Sequence, residues 1–297
     1  MSFQSGFITI IGRPNTGKST LINQIMGEKL VIISDKPQTT RNVIRVILTG
    51  ENSQLIFLDT PGMHRPRTKL GEYMVDIANQ SLDGVDAVVL ITDDLSGRVG
   101  PGDQHIIEQL EKVKTPVILA VNKTDTTPKM NLLKVMDAFG KAYNFKDIIP
   151  ISALTGDGVA QLVSTLREMM PEGPMYFPQD YVTDQPERQI AAEYIREKIL
   201  QLTRDEVPHG TGVEIMSFEE REDQDMIDIQ ADIYCERDSH KGMIIGKGGA
   251  MLKQIGTKAR EDLELLLGCK VNLKLFVKVR ENWRNSQSVM NTLGYRK

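Results

Sequence analysis

Cysteine is almost missing from this chain: Cys235 and Cys269 are the only two in 297 residues, and they lie far apart. That excludes a disulfide framework and a paired-cysteine zinc motif, and both are expected to be buried, reduced thiols. Histidine is nearly as sparse. His64, His105, His209 and His240 are scattered, none with a Cys or a second His at metal-ligand spacing, so each is expected to be structural. No run approaches the ~20 consecutive apolar residues of a membrane-spanning helix. The opening MSFQSGFITIIG lacks the basic n-region and cleavage site of a secretory signal, so a cytoplasmic protein is expected. Low-complexity tracts and obvious internal repeats are lacking too, and the whole chain should fold. What is present is an ordinary soluble composition, 40% hydrophobic and 26% charged. The length suits two domains of roughly 100–200 residues each.

The net charge of −4 is unevenly spread. Residues 241–297 hold 12 Lys and Arg against 4 Asp and Glu, a net +8 that leaves −12 on the rest. Such a block is the electrostatic footprint of a polyanionic partner, although a solvated lysine-rich surface has the same composition.

Residues 7–11 form an apolar run that ends at a glycine loop, and 19–26 fit a helix. Apolar runs recur at 55–58, 87–92, 117–121 and 148–151, each followed by polar loop residues and a helical pattern. This predicts an α/β domain, a mostly parallel sheet with helices on both faces. Residues 43–48 read as an antiparallel edge strand. The pattern lapses after a helix ending near Met170, where PEGPMYFPQD carries three prolines and a glycine. The expected division is a first domain over 1–172, a linker over 173–185 and a second domain over 186–297.

The second domain opens with a helix over 186–202 that places Ile190, Tyr194, Ile195, Ile199 and Leu202 on one face. Two strands follow, joined by the acidic link EEREDQD. The second, 226–236, alternates Ile227, Ile229, Ala231, Ile233 and Cys235 with polar residues, the pattern of a half-buried strand. A GKGG turn at 246–249 leads to a helix ending near Leu267, and Val271, Leu273, Leu275, Val277 and Val279 alternate as a third strand. The expected fold is a smaller α+β sheet with helices on one face.

Gly12-Arg13-Pro14-Asn15-Thr16-Gly17-Lys18-Ser19-Thr20 contains a full G-x-x-x-x-G-K-[ST] match between a strand and a helix. Gly12 and Gly17 allow the backbone to wrap phosphates, and the amides of about 15–19 and the helix N-terminus favour negative charge. Lys18 should reach the β- and γ-phosphates and the Ser19 hydroxyl should bind Mg²⁺. Base identity comes from Asn122-Lys123-Thr124-Asp125. The Asp125 carboxylate can accept from guanine N1–H and the N2 amino group, whereas adenine offers an acceptor at N1 and no donor at C2. Asn122 and Lys123 would brace the phosphate loop and cover the base, and in Ser152-Ala153-Leu154 the Ala153 N–H suits guanine O6.

Asp59-Thr60-Pro61-Gly62 follows the run 55–58, so that Asp59 can hold Mg²⁺ through water and the Gly62 amide can sense the γ-phosphate. Thr40, preferred over Thr39, offers a hydroxyl for a further Mg²⁺ position. Lys18, Thr40 and Gly62 are the candidate catalytic groups. Met63 occupies the place where Ras-like proteins carry the water-orienting glutamine, and it cannot hydrogen-bond that water usefully.

In the second half, Ile245, Gly246, Lys247, Gly248, Gly249 and Lys253 form an I-G-x-x-G turn opening a helix. Such a turn can clamp about four nucleotides of single-stranded RNA, with the lysines supplying charge. A lone GxxG is more often just a tight turn. Its place between alternating strands and inside the basic block favours RNA.

These elements carry resemblances. Residues 5–170 resemble the translation-factor-related GTPases, in the subgroup with a hydrophobic residue at the glutamine position, where a phosphate-loop asparagine, here Asn15, helps hold K⁺. The second half resembles a type II KH domain. Taken together, GRPNTGKS, PQTTRN, DTPGM, NKTD, ISAL, FPQDYVTDQPER, IREKI and ERDSHKGMIIGKGGAMLKQIG resemble the bacterial Era family of GTPases across essentially the whole chain. That resemblance implies GTP/GDP and the 3′ end of 16S ribosomal RNA as ligands. It also implies a role in 16S processing and assembly of the 30S subunit, peripheral association with the membrane, and a monomer. Two other classes remain open: a nucleotide-gated RNA-binding or chaperone module in which turnover is incidental, and a membrane-surface GTPase, which would predict a basic amphipathic helix that the sequence does not clearly show.

Overall fold

The apolar runs of the first half form one sheet because each strand feeds both of its faces. In the computed structural model, which describes residues 2–63, 66–204, 206–222 and 225–296, the first unit comprises 1–31, 40–65 and 74–184 and the second 32–39, 66–73 and 185–297. His64 and part of the acidic link EEREDQD lie outside the described residues.

Strands β1 (Gln4–Ile11), β2 (Ile44–Gly50), β3 (Ser53–Asp59), β4 (Ala87–Thr92), β5 (Val117–Val121) and β6 (Asp147–Pro150) lie in the order β2-β3-β1-β4-β5-β6. Only β2 runs antiparallel, at the edge, as its sequence predicted. Ile8, Ile10, Val89, Ile91, Ile118 and Ala120 face one core with α1 (Lys18–Met26) and α5 (Val159–Met169). Ile11, Val88, Leu90, Leu119 and Val121 face the other with α3 (Pro101–Leu110) and α4 (Lys129–Ala142). The sheet order reverses direction at β1, so the loop after it opens at the switch point where α/β sheets place ligands.

Residues 173–184, expected as a linker, associate with the first unit. Ile47 N–H donates to Val182 O (2.9 Å), Thr183 Oγ1 to Arg45 O (2.7 Å), and Arg45 pairs with Asp184 at 2.6 Å. The outer edge of β2 leaves backbone groups unsatisfied, and this segment covers them.

In the second unit, β7 (Gly212–Glu220), β8 (Met226–Cys235) and β9 (Lys270–Val279) form a sheet in that order, antiparallel then parallel. Ile227, Ile229, Ala231 and Ile233 pack with Ile195 and Ile199 of α6 (Glu187–Leu202) and with Ile255, Ala259 and Leu263 of α8 (Ala250–Leu267). Three expectations change. Helix α7 (Asp238–Ile245) precedes the glycine turn, where no periodic signal marked it. Strand β8 is buried on both faces over its last half, because Asp232 pairs with Lys278 and Tyr234 donates to Glu214. Helix α6 is not one-faced: 194–200 are all buried. Cys235 is buried and Cys269 only half-buried, and neither is in a disulfide.

The C-terminal stretch, to which no local pattern assigns contacts, packs within this unit. Trp283 is fully buried and donates to Gly210 O at 2.8 Å. Its ring stacks on Tyr295, which meets Tyr73 of α2 (Lys69–Gln80), and Asn285 Oδ1 accepts from Lys69 N–H at 3.0 Å.

Candidate functional site

The turn between β1 and α1 needs glycine for want of space. A Cβ on Gly12 would lie 2.4 Å from the Ile91 carbonyl oxygen, and one on Gly17 2.3 Å from the Asn122 side-chain nitrogen. Asn15 adopts φ +65°, a conformation Asn tolerates better than most residues. Thr16 is buried and its hydroxyl donates to Arg13 O at 3.0 Å. Gly62 stands against Pro14, leaving no room for a Cβ.

Lys18 is buried, and its ammonium donates to Gly12 O (3.3 Å) and Arg13 O (2.9 Å). Burial brings its pKa down to about 8, against the opposing pull of Asp59 and Asp93. A poorly solvated ammonium over a glycine loop gains most from an incoming phosphate.

Three oxygen donors meet beside it. Ser19 Oγ donates to Asp59 Oδ2 at 2.9 Å and lies 3.1 Å from Thr40 Oγ1, which is 3.2 Å from the same carboxylate oxygen. Thr39 is turned away, its hydroxyl donating to Lys36 O at 2.7 Å. Asp59 is fully buried and its carboxyl is pushed upward by burial, against the pull of Lys18, Ser19 and Thr40. Its second oxygen, Oδ1, has no hydrogen-bond partner among the described residues. Two hydroxyls and a carboxylate with an orphaned oxygen form an all-oxygen donor set that fits Mg²⁺. Met63 N–H donates to Gly12 O (3.1 Å), while its side chain joins the buried cluster of Ile11, Ala78 and Leu82.

The base-side residues are already linked. Asn122 Nδ2 donates to Thr16 O (2.8 Å), and Asn122 Oδ1 accepts Ala153 N–H (2.9 Å), so guanine O6 can use that amide only by sharing or displacing the bond. Ser152 Oγ donates to Asp125 Oδ1 at 2.7 Å, which orients an otherwise exposed carboxylate. Thr124 N–H donates to Ile151 O, Leu154 is exposed, and Thr60 Oγ1 donates to Ile10 O. Sequence reasoning missed Asp93, which pairs with Arg13 (2.9 Å) and Lys123 (2.6 Å) and so joins the two motifs. Its position just after β4, at the carboxyl end of a parallel strand, was the available signal.

In the second unit the turn Lys247–Gly249 is open. Gly248 (φ +59°) and Gly249 (φ +81°) have nothing within 4 Å of an added Cβ. Ile245 is half-buried beneath it, and Lys247 and Lys253 are exposed. A cleft runs between α8 and β9, lined by Gly249 at the end of the turn, Lys253, Gly256 and Arg260 from the helix and Asn272 and Leu275 from the strand. Arg260 and Asn272 were not singled out from sequence. The helical spacing 249, 253, 256, 260 could have found Arg260.

A phosphate-wrapping loop with a guanine-type motif, followed by a GxxG cleft, defines a P-loop GTPase joined to a KH domain. Family models agree: one described as a 50S ribosome-binding GTPase matches residues 7–123, and one described as a KH domain matches 206–284. The GTPase Era of Alkaliphilus oremlandii is 56% identical over 99% of this chain and 100% of its own length, and that of Clostridioides difficile 53% over 99% of each. The chain belongs to the Era family of GTPases, and it is a GTP hydrolase. A crystal structure of Era with MgGDPNP and nucleotides 1506–1542 of 16S ribosomal RNA is 40% identical, covers 99% of this chain and 100% of that one, and has a TM-score of 0.95. A point variant of Aquifex aeolicus Era bound to GDP and aluminium fluoride matches to the same extent.

Proposed function

We propose that this chain hydrolyses GTP to time its release from the 3′ end of 16S ribosomal RNA during 30S subunit assembly. The observation that carries the nucleotide half is the meeting of Ser19, Thr40 and Asp59 beside the carbonyl-bound Lys18. On GTP binding, Lys18 exchanges the Gly12 and Arg13 carbonyls for phosphate oxygens, and the amides of 15–19 and Gly62 donate to them. Ser19, Thr40 and, through water, Asp59 hold Mg²⁺, which neutralises charge on the phosphoryl oxygens when bound. Asp125, oriented by Ser152, selects guanine.

With Met63 packed inward, its side chain does not position the attacking water, and intrinsic hydrolysis is slow. Asn15 is the residue that would hold K⁺, which would supply further positive charge to the phosphate loop. Single-turnover hydrolysis should therefore be faster in K⁺ than in Na⁺, and equal rates would remove this role.

The second unit takes single-stranded RNA. Gly248 and Gly249 let the sugar-phosphate backbone approach, Gly246 makes room for Met251 at the helix start, Ile245 supports the turn, and Lys247, Lys253 and Arg260 supply charge. The RNA-bound Era relative supports the choice of ligand. Hydrolysis measured with and without small-subunit particles tests the coupling. The expected result is acceleration by the particles and failure of a hydrolysis-dead variant to support assembly. Equal rates, together with assembly supported by that variant, would leave turnover incidental.

A further inference from the structure

Three consecutive residues of α6 carry buried charge: Arg196 is 1% exposed, Glu197 1% and Lys198 7%. Such a run is costly unless every charge is paired. The partners show what the helix holds. Arg196 donates to the carbonyls of Thr39 and Gln38, the latter at 3.4 Å, while Glu193 braces the same guanidinium. Glu197 Oε1 accepts Ile33 N–H at 2.8 Å, and Gln201 Nε2 donates to Ile33 O at 3.3 Å. Segment 32–39 is gripped near both ends, and the next residue along the chain is Thr40.

The same side chains continue away from that segment. Glu197 Oε2 pairs with Lys198 Nζ at 2.8 Å, and Lys198 Nζ with Asp262 Oδ2 at 2.5 Å. Burial pulls the Lys198 pKa down, but the hydrogen bonds to Asp262 and Glu197 outweigh it, so the net shift is upward and the bridge stays charged. Asp262 belongs to α8, the helix that starts at the glycine turn and lines the cleft with Lys253, Gly256 and Arg260.

We propose that Glu197, Lys198 and Asp262 form a relay that couples the backbone preceding Thr40 to helix α8, so that nucleotide state sets RNA affinity. This rests on the reading that nucleotide state controls RNA binding. The relay works because a buried charge does not tolerate losing a partner. When segment 32–39 shifts, Glu197 gives up the Ile33 amide and must rebalance against Lys198, which in turn changes its hold on Asp262.

The test uses the full chain, a labelled 16S 3′-end RNA, and a non-hydrolysable GTP analogue or GDP. The wild-type ratio of the two RNA dissociation constants is the coupling factor, about 5- to 150-fold in typical allosteric systems. Asp262→Asn, at a partly exposed position, should keep GTP affinity while the ratio falls at least about threefold. Glu197→Gln should produce the same fall from the other end, so poor folding of one variant leaves the other to decide. Lys198→Arg, which retains the charge and both partners, should keep the ratio. A wild-type ratio above one that persists in Asp262→Asn and Glu197→Gln overturns the relay and leaves the switch intact. A wild-type ratio of one overturns the switch and the relay together.

Discussion

In the first unit the groups that would meet a ligand are buried or bonded to one another: Lys18 to two loop carbonyls, Ser19 to Asp59, Asn122 to Thr16 and Ala153. In the second unit the corresponding groups stand in the open, with Lys247, Gly248 and Lys253 exposed. The first is a preorganised site, in which ligand binding exchanges existing hydrogen bonds. The second is an open cleft beside exposed lysines, a form suited to a flexible polyanion held through counterion release. A nucleotide must be discriminated by single atoms, whereas an RNA strand must be held and then let go.

This contrast can be broken at several points. Lys18→Ala should have the largest effect, lowering GTP turnover by about 10²–10³-fold, as removal of a positioned charge donor does in other enzymes. Single-turnover hydrolysis checks it, and RNA affinity in the GDP form should not change. Asp125→Asn should weaken GTP by about 1.5–3 kcal/mol, the range for hydrogen bonds to a charged group, and favour xanthosine triphosphate. Competition between the two nucleotides reads this directly, and unchanged GTP affinity would refute the assigned role.

Gly248→Asp should lower RNA affinity about tenfold or more through one repulsive charge and lost backbone approach, with GTP binding near normal. Its positive φ is one that Asp and Asn tolerate, so Gly248→Asn isolates the charge from the backbone. A smaller effect is expected at Arg260→Ala: the slope of log K against log salt should fall by about 0.7, the value for one phosphate contact on a single strand. The smallest is a pH effect. Phosphate favours the Lys18 ammonium, so the bound pKa lies above the free value of about 8. Nucleotide binding should take up a proton and weaken as pH rises through about 8, visible as a buffer-dependent binding enthalpy.

The same contrast explains what the sequence could say. Lys18, Ser19, Asp59, Asn122 and Asp125 could be singled out because each sits in a short motif next to a strand end, and the structure sets them in the contacts described above. Thr40 could be preferred over Thr39 but not placed; its bond distances to Ser19 and Asp59 separate the two. Asp93 escaped notice because a carboxylate after a strand is common and its partners, Arg13 and Lys123, are far away in sequence. In the second half, β8 and β9 followed from alternation, whereas α7 is only eight residues long and carries a glycine, Gly242, in its middle. Helix α6 was misread as amphipathic because its buried face includes Arg196, Glu197 and Lys198, whose burial depends on partners that no local pattern reveals. Arg260 and Asn272 were missed because a cleft between a helix and a strand forms only on folding.

The proposed switch stands or falls on whether hydrolysis releases RNA. The direct measurement is a stopped-flow experiment on a preformed complex of the full chain, GTP and a fluorescent 16S 3′-end RNA, with phosphate release followed in parallel. With a hydrolysis-driven switch, RNA leaves at the rate of hydrolysis and stays bound with a non-hydrolysable analogue. RNA that leaves at the same rate with GTP and with the analogue, or that stays bound after GDP has formed, would contradict it.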